Sequence, residues 1–169
     1  MSGRDHPVLE AIAGRRSVGR VAPDPLPRET VARLVEAALR APNHGLTRPW
    51  RFVVLTGEAR AAVSPRLERA PVVIVAVARP SDDPVQARED RDAVAAGVQN
   101  MLLAAHALGL GAMWRTGPLA EDPAARDALG LAAGEAIVAY VYVGRPPDGP
   151  PPAPSPRPSV DEVTEWRGW

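Results

Sequence analysis

Residues 92–117 read DAVAAGVQNMLLAAHALGLGAMWRTG, and the rest of the chain must pack around this stretch. Val94, Val98, Met101, Leu102, Ala105 and Leu108 recur at helical spacing and form one apolar stripe. The opposite side is scarcely more polar: Ala93, Ala96, Gly97, Leu103, Ala104 and Ala107 lie there, interrupted only by Gln99, Asn100 and His106. A helix apolar nearly all round belongs inside a core or an interface. Its small residues admit another backbone closely, as at a tightly packed helix pair. Gly109 and Gly111 stop the helix, the first as a left-handed cap. Met113-Trp114-Arg115-Thr116-Gly117 follows as a short strand-like run with an indole beside a cation. Two readings stay open from this stretch alone. One is a core helix followed by a surface Trp-Arg; the other is a buried helix delivering Trp-Arg-Thr to a binding site.

Working outward, the 169 residues suit one domain with a proper core. Twenty basic residues balance twenty acidic ones without a dense basic run. That argues against nucleic acid or an anionic membrane as the main partner. No stretch is long and apolar enough to span a bilayer, and MSGRDHPVLE lacks a signal-peptide core, so the expectation is a soluble cytoplasmic protein. Without cysteine there is no disulfide, thiol catalysis or thiolate metal site. Every basic residue is arginine, which removes Schiff-base and P-loop lysine chemistry.

Upstream, the spacing predicts a helix over 7–13 that ends at Gly14, directly before Arg15-Arg16-Ser17-Val18-Gly19-Arg20. A second helix over 27–40 carries the stripe Val31, Leu34, Val35, Ala38, Leu39 and stops at Pro42. The loop Asn43-His44-Gly45-Leu46-Thr47-Arg48-Pro49-Trp50 leads into a strand over 52–55. Residues 58–69 are weakly helical and broken at Pro65. VVIVAVA, 72–78, is a continuous β-branched run of the kind buried on both faces, and Asp83-Pro84 caps the lead-in to the central helix. A short helix starts at Asp122-Pro123 and closes at Gly130, and IVAYVYV, 137–143, is a second central strand. The domain therefore runs over 1–145. An extended linker over 146–158 holds eight of the twenty prolines, and an arm over 159–169 with Val160, Val163 and Trp166 is expected to pack on a neighbouring subunit.

Two clusters invite chemistry. Arg15-Arg16-Ser17, with Arg20 just beyond, places guanidinium forks and a hydroxyl at a helix end, a donor set for phosphate or sugar oxygens. Paired arginines on a solvated face remain the commoner explanation of such a run. Arg40, His44 and Arg48-Pro49-Trp50 bring a cation and an imidazole beside an apolar wall, suited to a planar, polar-edged cofactor; a lone loop histidine with a core tryptophan is the plainer alternative. Other chemistries fail. Gly109-Leu110-Gly111 lacks a third glycine and follows a helix, no G-x-S-x-G elbow exists, and His6, His44 and His106 are isolated. Glu89, Asp90 and Asp92, alternating with Arg88 and Arg91, read as a solvated helix face.

Taken in order, these pieces resemble the FMN-dependent nitroreductase family, in particular its compact members. The resemblance covers nearly the whole chain: Arg15-Arg16-Ser17; Arg40-Ala41-Pro42-Asn43-His44 with Pro49-Trp50; Asp92 through Gln99-Asn100 to Gly109-Leu110-Gly111; Trp114-Arg115-Thr116-Gly117; a strand ending at Gly144; and the tail Val160 to Trp166. It implies an α+β fold, with a mainly antiparallel or mixed sheet of four strands plus a C-terminal tail from the partner, flanked by helices. It implies a homodimer with two FMN sites at the subunit boundary. Arg15, Arg16 and Ser17 would hold phosphate and ribityl oxygens, Arg40 and His44 would reach across from the partner, and Trp114, Arg115 and Thr116 would line the flavin. The implied activity passes a hydride from NADH or NADPH to flavin N5, then two electrons to a small nitroaromatic, quinone or activated alkene by ping-pong turnover. No side chain need be a nucleophile; water or His44 could supply protons. A dehalogenase or other specialised reductase, and a non-catalytic FMN-binding or dimeric interaction protein, stay open beside it. Three departures stand out. The connection before Val72 is short and contains Pro65, which implies an open pocket or a weakly held cofactor. Arg48 replaces a commoner glutamine, and Gly19 stands where many relatives carry a basic residue.

Overall fold

A computed structural model describes residues 6–149 and 152–169. The first five residues of the expected domain, and positions 150 and 151 of the expected linker, lie outside it. Four strands form the sheet: β1 (Trp50–Thr56), β2 (Val72–Ala78), β3 (Gly111–Arg115) and β4 (Ala136–Gly144), in the order β1-β2-β4-β3. All three pairings are antiparallel, so the expected sheet is realised without a parallel pair.

The central position of β2 follows from its composition. Every one of its residues is buried. Val72, Ile74, Ala76 and Ala78 face one apolar core, while Val73, Val75 and Val77 face a second on the other side. Each buried valine contributes about 1.5–3 kcal/mol, which is why such a run cannot occupy an edge. In β4 the register shifts opposite Ala76 and Val77, so that Val138 and Ala139 both join the first core, as a bulge allows.

The long helix is α4 (Pro84–Ala107), started by Asp83, whose carboxylate accepts the Val85 N–H at 2.8 Å, and by Pro84 in the first turn. Val94, Val98, Met101, Leu102 and Ala105 pack on the first core. After it the chain reverses at Gly109, φ +69°, the left-handed conformation the sequence calls for. The second face meets α2 (Arg28–Ala38). A Cβ on Gly97 would lie 3.0 Å from the Ala38 carbonyl oxygen, and Asn100 donates to the Ala37 carbonyl at 3.3 Å. The expected close helix pair is thus formed within the chain.

The remaining elements are short. They are α1 (Pro7–Gly14), α3 (Glu58–Val63), α5 (Pro123–Ala128), α6 (Val160–Val163) and 3₁₀ turns over His44–Leu46, Pro65–Arg69 and Pro118–Ala120. Helix α6 went unforeseen, although Ser159 and Glu162 form the reciprocal capping box its sequence contains. Val160, Val163, Trp166 and Trp169 are all exposed. Among the described residues no helix is long and apolar enough to cross a membrane.

Candidate functional site

One candidate cluster grows from the end of α1. Arg15 leaves the helix in extended conformation, and Arg16 turns back, donating to the carbonyls of Ala13 at 2.6 Å and Arg15 at 2.9 Å. Its charge thereby meets the negative end of α1. The chain then runs along the outer edge of β3. Val18 N–H donates to the Ala112 carbonyl at 3.0 Å and Ala22 N–H to that of Arg145 at 2.8 Å. A Cβ at Gly111 would stand only 2.9 Å from Val18 and Val21, so the approach requires glycine. Ser17 is exposed on this segment.

Side chains alternate along a strand, so Trp114 and Arg115 do not point the same way. Trp114 packs toward α4 with the first core. Arg115 lies on the other face, its guanidinium carbon 5.6 Å from the centre of the Tyr142 ring. There it joins Arg69, Gly19, Arg20 and Val21 around a hollow of about 660 Å³. A second hollow of about 120 Å³ shares Arg69 and Arg115 and adds Arg66, Thr116, Tyr140 and Tyr142. The Tyr140 hydroxyl donates to the Leu119 carbonyl at 3.1 Å and the Tyr142 hydroxyl to that of Arg66 at 3.2 Å. Burial pushes the Tyr140 phenol up to about 12 and raises Tyr142 as well, with Arg115, Arg69 and Arg66 opposing the latter shift. Both phenols are neutral at physiological pH.

The other cluster follows α2. Arg40 is exposed at its end, and the loop beyond runs through positive φ at Gly45 (63°), Leu46 (53°) and Arg48 (51°). Leucine in that region is strained, so other bonds must hold the loop. Asn43 Oδ1 accepts the Arg48 N–H at 3.0 Å, and Thr47 Oγ1 donates to Asp90 Oδ1 at 2.6 Å. The same oxygen accepts from Gln86 Nε2 at 2.9 Å. Asp90 is only 4 % exposed, which corrects its reading as part of a solvated face. His44 is exposed and lines an open hollow of about 510 Å³ with Pro42, Asn43, Glu89, Asp92 and Ala96.

One cluster lies against the N-terminal half of α4 and the other at its C-terminal end. Gly14, just before Arg15, lies against His106, whereas His44 shares its hollow with Asp92 and Ala96. From Ala96 to His106 the helix rises about 15 Å.

The sequence matches the model of the Nitroreductase family over residues 12–67 and 63–145. The chain belongs to the nitroreductase family. The two stretches meet at 63–67, within the connection the sequence marks as short. YdjA of Escherichia coli strain K12, assigned as an NAD(P)H nitroreductase, is 34% identical over 161 residues, covering 82% of this chain and 87% of its own. Among solved structures, a nitroreductase-like family protein from Bacillus cereus superposes with a TM-score of 0.88 at 26% identity, covering 96% of this nitroreductase-family chain and 97% of the other. A protein from Desulfovibrio desulfuricans, assigned as a nitroreductase and crystallised in complex with FMN, has a TM-score of 0.79 at 31% identity, with 96% and 98% covered.

Sequence reasoning missed Arg66, Arg69 and Asp90. Asp90 carried a local signal, since Gln86 lies four residues before it on the same helix face. Arg66 and Arg69 carried none: a 3₁₀ turn places them beside Arg115, far along the chain.

Proposed function

We infer that this nitroreductase-family chain is an FMN-dependent NAD(P)H oxidoreductase that works as a homodimer, with two sites between subunits. The separation of the two clusters along α4 carries this reading. A two-fold axis across α4 would set the His44 end of one subunit against the Arg15 end of the other. The outward stripe of α4, through Glu89, Asp92, Ala96, Gln99, Leu103 and His106, is only partly covered within the chain. Val8, Leu9 and Ile12 of α1 are exposed together, as an interface would use them. The arm over 159–169 would then lie on the partner beside the outer edge of β1, where Leu26, Val31, Val35 and Val54 line a hollow of about 490 Å³.

The donors present fit the cofactor. Guanidinium groups at the Arg15 end suit a phosphate dianion, and the imidazole and guanidinium at the other end suit the polar edge of a flavin. When bound, FMN supplies the redox chemistry, taking two electrons from NADH or NADPH and yielding them to a nitroaromatic, quinone or activated alkene. The protein binds and orients. Arg15 and Ser17 hold phosphate and ribityl oxygens, while Arg16 fixes the turn that presents them. Trp114 supplies an apolar wall, while Arg115 and Thr116 line the hollow on the opposite face. Arg40 and His44 of the partner subunit close the site, and an imidazole nitrogen of His44, or water, delivers the proton to the acceptor. The fixed cations offset the charge that reduction adds, without solvent reorganisation.

The test is an absorption spectrum. Purified protein, or protein titrated with FMN, should show flavin bands that bleach with NADH or NADPH and return with a quinone. Protein that takes up no flavin would overturn the reading, and flavin that NAD(P)H never bleaches would leave a non-catalytic binder.

A further inference from the structure

We propose that Arg66 and Arg69, on the 3₁₀ turn before β2, join Arg115 and Arg20 in a site for a phosphate monoester on the sheet face opposite α4. Four guanidinium groups from three separate stretches line two adjoining hollows, and among the described residues no carboxylate lines either. Among the described residues the ion pairs are Arg51–Glu135 and Arg167–Glu165, so none of the four cations is paired with a described carboxylate. Gathered like charges repel, and an anion seated between them converts that repulsion into binding.

The surroundings favour such an anion. The floor is Tyr140 and Tyr142, whose hydroxyls are engaged with the Leu119 and Arg66 carbonyls and supply no negative charge. The Tyr142 ring supports the Arg115 fork. Thr116 offers a hydroxyl at the rim. The turn itself is fixed from both sides, since Tyr142 holds the Arg66 carbonyl while Arg60 of α3 donates to the carbonyl of Ala70. At about 120 Å³ the inner hollow has room for roughly four waters, and so for a phosphate group with little to spare. With the flavin's own phosphate assigned to Arg15 and Ser17, the source that shares this chemistry is the 2′-phosphate of NADPH. The link to NADPH rests on the oxidoreductase reading; the phosphate site itself does not.

The experiment uses the full chain freed of bound flavin. Inorganic phosphate, added against chloride at matched ionic strength, should raise the melting temperature of the wild type, and Arg69→Ala and Arg66→Ala should lose most of that rise. Arg69→Lys, which keeps the charge but not the fork, should retain part of it. Because the flavin phosphate belongs to Arg15 and Ser17, Arg69→Ala leaves the affinities for FMN and riboflavin unchanged. If the dinucleotide is the source, KM for NADPH rises while KM for NADH and the affinity for FMN hold. Wild type that responds to phosphate yet takes up no flavin would sink the flavin reading and keep the site. A wild type indifferent to phosphate, with FMN, riboflavin and both dinucleotides unaffected by either alanine variant, would overturn the proposal.

Discussion

The two halves of α4 hold their candidate site residues by different means. At the Arg15 end, the residues ride on a helix cap and a segment hydrogen-bonded to the edge of β3, in relaxed backbone with glycine where space is short. At the His44 end they ride on a loop through three positive φ values, two of them at non-glycine residues. Close packing fixes the first end. The second depends on three side-chain hydrogen bonds, two of them to a buried carboxylate. The same family of sites can therefore contain a part that tolerates surface substitution and a part that fails when a single acceptor is removed.

The comparison is broken hardest at the crossing of α2 and α4. Gly97→Val places a branched side chain against the Ala38 carbonyl and must push α2 outward. It should cost about 3 kcal/mol in denaturant unfolding. Any folded variant should show its damage at Arg40 and His44, which α2 carries, before it shows any at Arg15. Asp90→Ala is next, at about 2 kcal/mol, because it frees Thr47 and Gln86 and releases the strained loop. Hydrogen exchange should quicken at 43–48 and not at 15–22, and Asp90→Asn, which keeps an acceptor, should restore much of the protection. Equal exchange at both ends would remove the contrast.

On the sheet face opposite α4, the floor beneath Arg115 titrates. Tyr140 has its phenol raised from 10.0 to about 12 by burial, so its contribution is whole below pH 10 and disappears as pH rises through 12. Stability should fall by up to about 2 kcal/mol across that window. Tyr140→Phe should flatten the fall while giving up its hydrogen bond at neutral pH. The smallest effect is Thr47→Val, about 1 kcal/mol, confined to the His44 loop and read by the same unfolding curves.

Much of this was open to reading from local pattern. A strand buried on both faces leaves a continuous β-branched run, so β2 appears over the same residues in sequence and structure. The long helix shows itself by its stripe, its Asp83-Pro84 start and Gly109. Helix α6 and the opposed directions of Trp114 and Arg115 follow from a capping box and from strand alternation, both present in the sequence though unread. The rest was out of reach for a physical reason. Asp90 alternates with arginines and looks solvated until the 43–48 loop folds over it, and Arg69 meets Arg115 only because the turn before β2 is held against Tyr142 of β4. Burial and charge clustering of that kind are set by contacts between distant parts of the chain.

The central claim is that each site draws on two subunits, and a mixed dimer tests it most directly. One chain carries Arg15→Ala and the other His44→Ala, each inactive as a homodimer. If the site is shared, the heterodimer holds one site with both lesions and one with neither, and about half the wild-type activity per dimer returns, provided the sites act independently. If Arg15 and His44 serve the same site from one chain, every site keeps a lesion, and a heterodimer as inactive as its parents would contradict the account.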